Sequence, residues 1–388
     1  MLKGSCALHK DKPKRGTVIS RLLIVLLILA LIAGLSYASD LPEASIPTSD
    51  DVILERLPPS YSQIRVAPAQ LRSAKQVEEL IEAGAASGDA RMLGMAEAAI
   101  SQGGSAWNVA ELALARSWLM QHRHDFSGAL KVLNGLLSQQ AHSGALSARA
   151  QILLVQGELQ ATQQDCSSLL LKDQSQAMLC AAYLAARRGN LNGASLLLER
   201  WLTTSSSTST LRRSVLVRTA EVACAQRDFA ACELRFEQAL MLNSADVRTI
   251  AARTRVLRAQ GRFPEVLALL ELTPASDTLL LERLLAAHAL DAAEAPTLRD
   301  QLSARYVLMR ERGEVPELRE EAEFELTILL NTQRSLALAK ENFAVQRDVE
   351  DVELLTRAAA AAASPQTQSM VSDWQREQGI DAVLEQAR

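Results

Sequence analysis

An all-α fold follows from three features of the sequence. Hydrophobic residues make up 48% of the 388 residues and aromatics only 4%, so the core must come mainly from Leu, Ala and Val. Alternating runs of β-branched residues, the mark of half-buried strands, are scarce. Turn-like residue pairs also recur at near-equal spacing with apolar helical stripes between them. A chain of this length exceeds one ordinary core, which leaves two domains or a repeat array.

Residues 1–39 read as an export segment. Lys3, Lys10, Lys12, Lys14, Arg15 and Arg21 precede the apolar run Leu22 to Leu35. Small residues follow at the positions a signal peptidase reads for a cut after Ala38. The run alone rises about 21 Å as a helix, short of a bilayer core. Counted from Thr17 to Ala38, with Arg21 snorkelling, it reaches about 33 Å and can span. A cleaved signal peptide and a retained single-pass anchor therefore both stand, with a soluble cytoplasmic body as the weaker third reading. The first two put the body outside the cytoplasm, in the periplasm or on the inner membrane if the cell is Gram-negative. No Cys closes the run, which argues against a lipoprotein.

Residues 40–72 hold Pro42, Pro47, Pro58, Pro59 and Pro68. No helical period survives so many breaks, and an extended linker is expected, with Val52, Ile53, Leu54 and Leu57 able to dock on the first helices.

The pattern of residues 73–272 is clearest between Leu211 and Leu240. An apolar helix, Leu211 to Gln226, runs into the turn pair Arg227-Asp228. Phe229, Cys232, Phe236, Ala239 and Leu240 then mark a second helix, the last four forming one stripe. Equivalent turns fall at Gly88-Asp89, His124-Asp125, Gly157-Glu158, Gly189-Asn190 and Gly261-Arg262, giving intervals of 36, 33, 32, 38 and 34 residues. About six helical hairpins result. The longest interval holds the polar run Thr203 to Thr210, read as an inserted loop.

A two-helix unit with a period near 34 resembles the tetratricopeptide repeat (TPR) family. The resemblance is carried by Asp125-Phe126 with Ala129-Leu130, Gly189-Asn190-Leu191 with Ala194, and Asp228-Phe229 through Ala239-Leu240. The third unit has its small residue at Ala161, one position early, and the sixth has Val266 at the small site. The resemblance implies a right-handed α-solenoid whose hairpins stack because none buries enough surface alone. Residues 273–388 continue less regularly. Helices are expected over Asp277–Leu290, Thr297–Glu311, Pro316–Leu330, Gln333–Val345, Val349–Ala363 and Thr367–Gln386. They form an irregular C-terminal cap with Trp374 as its packing anchor.

Candidate chemistry is sparse. Cys166 and Cys180 stand seven residues either side of Asp173, on neighbouring antiparallel helices, where an oxidising compartment would allow a disulfide; two buried thiols are the alternative. Cys224 and Cys232 also straddle a turn, but the family pattern points Cys224 inward, so their bridging stays open. His122, His124 and His142 lie near one another in sequence, yet as loop histidines they do not define a metal site, and no cofactor is implied. No zinc-protease, nucleophile-elbow or phosphate-loop motif occurs. Adjacent acids such as Glu78-Glu79 and Glu320-Glu321 point about 100° apart on a helix and read as solvated faces. A net charge of −4 gives no case for nucleic acid, and no small-molecule substrate is evident.

Surface is what remains. The resemblance implies a concave face lined by the first helix of each unit and gripping a protein partner or extended segment. It places Trp118, Gln121, Gln151, Tyr183, Arg187, Glu221, Arg248, Arg255 and Arg258 on that face. The last three share one helix face and would suit carboxylates on a partner or pair with neighbouring acids. The expected function is a noncatalytic interaction scaffold. The alternatives are an envelope enzyme using Glu317, Glu320, Glu321, Glu323 and Glu325, or a structural spacer.

Overall fold

The computed structural model describes residues 73–380, apart from 88, 104–107, 272, 274, 275 and 314–316. The export segment, the linker, Cys6 and Gly88 lie outside the described residues. Among the described residues there are only helices, eighteen of them, and no strand. They pair into nine successive hairpins. The first three are α1 (Ala74–Ser87) with α2 (Ala90–Gly103), α3 (Val109–His122) with α4 (Phe126–Gln139), and α5 (Ser143–Val155) with α6 (Leu159–Leu169). Next come α7 (Gln174–Arg187) with α8 (Leu191–Thr204), α9 (Ser209–Ala225) with α10 (Phe229–Leu242), and α11 (Val247–Ala259) with α12 (Phe263–Leu270). The last three are α13 (Asp277–Ala289) with α14 (Ala295–Glu311), α15 (Leu318–Thr327) with α16 (Thr332–Val345), and α17 (Val349–Ala361) with α18 (Pro365–Gln378). Among the described residues no helix is long and apolar enough to cross a membrane.

The turns of the second to sixth hairpins share one construction. The first helix ends on a residue with left-handed backbone: His124 (φ 56°), Gly157 (φ 76°), Gly189 (φ 76°), Arg227 (φ 64°) and Gly261 (φ 71°). The next residue donates its N–H five positions back, as Asp125 to Met120 at 2.9 Å and Asp228 to Ala223 at 2.9 Å, closing the helix end. The same residue then starts the second helix. The carboxylate of Asp125 accepts from Gly128 N–H at 2.9 Å and that of Asp228 from Ala231 N–H at 3.1 Å; the Asn190 side-chain oxygen accepts from Gly193 N–H at 3.0 Å. A left-handed residue followed by a capping residue thus reverses the chain in two positions.

The second helices bury the fourth and eighth residues after that cap, which share one helical face. The fourth positions are Ala129, Thr162, Ala194, Cys232 and Val266; the eighth are Leu133, Cys166, Leu198, Phe236 and Leu270, and all ten are buried. In the third hairpin the small site is therefore Thr162 and not Ala161. A Thr fits because its hydroxyl donates to the Glu158 carbonyl at 2.9 Å, so no polar group is left unpaired.

The ribbon of hairpins curls far enough to meet itself. The first helix α1 touches α11 of the sixth hairpin, where Arg248 pairs with Glu82 at 2.8 Å. Beyond terminating the array, the last two hairpins reach back to the third and fourth. Leu154, Leu159 and Leu184 share a core with Leu336, Phe343, Leu354, Leu355, Ala358 and Trp374. The N–H of Arg347 donates to the Val155 carbonyl at 2.7 Å, and Trp374 packs edge-on against Phe343 at 5.3 Å.

Two glycines separate the turn from this closure. A Cβ on Gly261 would meet nothing within 4 Å, so Gly261→Ala should cost only the left-handed backbone, about 1 kcal/mol. A Cβ on Gly157 would sit 2.5 Å from a Trp374 ring carbon, and Gly157→Ala should cost roughly 2–4 kcal/mol. Urea unfolding of the two variants measures the difference; equal losses would mean that α18 does not press on this turn.

Candidate partner-binding face

The first helices of the hairpins supply the inner face, and the curl decides which part of it stays open. Gln151 and Arg248 are exposed. Trp118 is half-buried against the core of the first two hairpins, and Gln121 is half-buried with its side-chain N–H group unpaired. The remaining five residues lie under the last hairpins or against their neighbours. Arg187 is 6% exposed and donates from Nη2 to the Arg347 carbonyl; burial lowers its pKa below the ordinary arginine value. Tyr183 packs in the same core, where burial raises its hydroxyl pKa, and the Arg218 guanidinium lies 5.5 Å from its ring centre. Glu221 pairs with Arg218 at 3.0 Å, and burial nonetheless pushes its carboxyl up.

The three arginines of α11 part company. Arg248 goes to Glu82 on α1, and Arg258 reaches the buried Glu282 on α13 at 2.9 Å. Arg255 faces Glu350 and Glu320 of the last hairpins. Each thus has an acidic neighbour from this same chain. The nine residues do not form one open groove: covered by α15 and α17, the stretch from Tyr183 to Arg255 is a layer between two sets of helices.

That layer contains residues the sequence pattern did not single out: Arg218 on the inner face, and Arg319, Asp348, Glu350 and Asp351 opposite. Asp351 closes a capping box at the start of α17, accepting from Asp348 N–H at 2.8 Å and from Asn342 Nδ2 at 2.8 Å, with Arg319 at 3.5 Å. Burial alone would raise the Glu350 carboxyl; Arg319, Arg255 and Arg218 overcome it and hold the pKa at about 2. Asp348 is pushed up to about 6 by burial and by Glu350, against Arg187 and Arg218. Glu320 rises to about 7 through burial and Glu317, against Arg319, Thr278 and Arg255. The layer is open to solvent at its edge: Glu350 is exposed, and Arg218 keeps 44% of its side chain accessible and Arg319 28%.

The acids of α15 divide by partner. Glu321 sits between Arg310 and Arg334, Glu323 pairs with Arg357 and accepts from Thr327, and Glu317 faces His124 at 3.5 Å. Glu325 leaves one buried oxygen unbonded. They surround the helix and do not converge on one point. Among the described residues no three His, Cys, Asp or Glu side chains are placed to hold a metal. His142 caps α5, accepting from Ala145 N–H at 3.3 Å, and His124 stacks on Phe126 at 5.6 Å.

All four cysteines of the hairpins are paired. Cys166 and Cys180 are bonded across the α6–α7 turn with Cα atoms 5.4 Å apart. Cys224 and Cys232 are bonded as well, 5.2 Å apart, across the turn at Arg227. Cys224 lies three residues before the left-handed Arg227, where the closing helix end brings its backbone beside the first turn of α10, so an inward orientation and a bridge are compatible.

No family model and no curated protein matches the sequence. Solved structures do. One is a tetratricopeptide repeat protein from Parabacteroides merdae, at 15% identity and a TM-score of 0.39, covering 64% of this chain and 98% of that one. Another is the P58(IPK) TPR domain, at 15% identity and a TM-score of 0.25, covering 81% and 97%. The superpositions are loose, and the class of the protein rests on its own helices and turns: an all-α solenoid of TPR-like hairpins.

Two contrasts follow. Glu282 is nearly buried and Arg258 depends on it, so Glu282→Ala should cost about 3 kcal/mol, whereas Arg248→Ala, at an exposed pair, should cost less than about 1 kcal/mol. Replacing Cys166 and Cys180 together by Ala opens a loop of about 15 residues and should lower stability by about 3 kcal/mol. Chemical denaturation of each variant checks both statements.

Proposed function

We propose that the chain is a noncatalytic protein-interaction scaffold, working in the periplasm or on the periplasmic face of the inner membrane. The observation that carries the reading is the seating of α15 and α17 on the inner face of the array. There the protein holds helices through an apolar core and hydrogen bonds from arginines to backbone carbonyls, contacts of the kind by which a solenoid grips a partner. The stretch left for a partner protein is marked by the exposed Gln151 and Arg248, with Trp118 and Gln121 half-buried. Tyr183, Arg187, Glu221, Arg255 and Arg258 then act from behind it, fixing the curvature.

The location is supported by the basic, apolar, small-residue order of residues 1–39 and by the two disulfides, which persist in oxidising compartments. The body is either released by cleavage after Ala38 or tethered through residues 17–38. A photo-crosslinking residue placed at Gln151 in intact cells should trap one discrete protein. The same residue at Lys131, on the second helix of its hairpin, should not. Equal trapping at both positions, or none at Gln151, would count against the open inner stretch as the partner site.

A further inference from the structure

In a stack of hairpins every first helix starts, and every second helix ends, on one rim, while the tight turns lie on the other. Contacts between hairpins keep each rim in line. On the starting rim Ser147 Oγ donates to Gln176 Oε1 at 2.9 Å, and Arg213 pairs with Asp246 at 3.2 Å. On the turn rim Gln226 Nε2 donates to Asn192 Oδ1 at 2.8 Å, and Arg262 pairs with Glu233 at 2.8 Å.

The two rims differ in chemistry. Between α3 and α12 the turn rim is charged, with Arg123, Asp125, Glu158, Arg188, Arg227 and Asp228 all exposed. Phe229, the large apolar residue exposed there, stands next to the last two. On the starting rim the connections from α4 to α11 are Gln140-Ala-His142, Leu170-Leu-Lys-Asp173, Ser205-Ser-Ser-Thr208 and Asn243-Ser-Ala-Asp246. Asp173 caps α7, accepting from Gln176 N–H at 3.0 Å, and Asp246 is buried. Among the described residues of these connections, Lys172 is left as the exposed charge. What the rim does expose is apolar. Leu171 keeps 96% of its surface accessible and Met241 78%, with Leu170 and Leu242 exposed beside them. Apolar side chains gathered on one rim, unlike ones scattered singly, mark a contact surface.

We propose that the starting rim faces a lipid bilayer, with Leu170, Leu171, Met241 and Leu242 entering the interfacial layer and Lys172 meeting lipid phosphates. Two observations select this occupant. Helix α1 begins at Ala74 on this rim, so residues 39–72 lead from the membrane segment to the uncharged rim and not to the charged one. The rim also lacks what a protein partner reads: among the described residues of these connections there is no exposed Trp, Tyr or Phe and no exposed ion pair. Uncharged tips with a cation beside them suit acyl chains and phosphate. Four such tips bind a bilayer weakly by themselves, but a body held through residues 17–38 keeps them at high local concentration. The inference rests on the tethered form of the proposed function and adds which rim meets the surface.

A benzophenone amino acid placed in the full chain at Leu171 or Met241, and at Glu158 or Arg188 on the other rim, tests this in intact cells. After irradiation, phospholipid adducts at Leu171 and Met241 should exceed those at Glu158 and Arg188 roughly fivefold. Alkaline extraction of the same cells reads the tether separately. A chain that stays with the membrane but gives equal lipid adducts on both rims, or none at Leu171 and Met241, overturns the rim contact and leaves the tether standing. One discrete protein trapped at both tips in place of lipid has the same meaning. A chain released by extraction removes the tether, and the rim contact with it.

Discussion

A single helical hairpin has an apolar stripe on each helix and only one partner to cover it. Everything else in this protein answers that shortage. In the second to sixth hairpins the fourth residue of the second helix lets two helices approach, the eighth reaches across, and the next hairpin must be present to finish the burial. Ala129 with Leu133 and Cys232 with Phe236 show the same device in different side chains. Because the contact is always with the neighbour, one turn geometry repeated with little change propagates along the chain, and curvature accumulates until the ribbon meets itself.

Self-contact changes what the inner face can be. In an open array that face is a groove waiting for a ligand. Here α1 meets α11 through Glu82 and Arg248, and the last hairpins lie against α5, α6 and α7 through an apolar core. Leu354, Leu355, Ala358 and Trp374 are buried in that core, which makes the last hairpins an integral part of the fold. A partner meets what the closure leaves accessible, a shorter surface than the full inner lining.

Burying charge beside apolar contacts is costly unless each charge is answered. The layer answers most of them, through the capping box at Asp348, the Arg319–Asp351 contact and the Arg218–Glu221 pair. Register across the seam is marked by backbone contacts: Arg187 donates to the Arg347 carbonyl, and Arg347 donates to the carbonyls of Val155 and Gln156. The apolar half of the interface supplies most of the buried surface, and the polar half supplies position.

The local level was legible in the sequence. A left-handed residue and a cap side by side, as at Gly189-Asn190 or Arg227-Asp228, are encoded by neighbours in the chain, as are the stripes that follow, so turns and hairpins could be read directly, while the spacing about Asp173 allowed a disulfide without requiring it. Two local readings differ from the structure: the small site of the third hairpin is Thr162, whose hydroxyl bonds to its own helix, and Glu321, expected on a solvated face, is buried between Arg310 and Arg334. The closure was not legible. Arg187 meets the Arg347 carbonyl across 160 residues and Arg347 meets Gln156 across 191, and no local pattern marks such pairs. Their meeting depends on the summed curvature of many hairpins, a quantity each hairpin changes only slightly. For the same reason the sequence alone determined where the helices and turns fall, which neighbouring residues encode, and only the tertiary structure decided which residues the closure covers and which remain open.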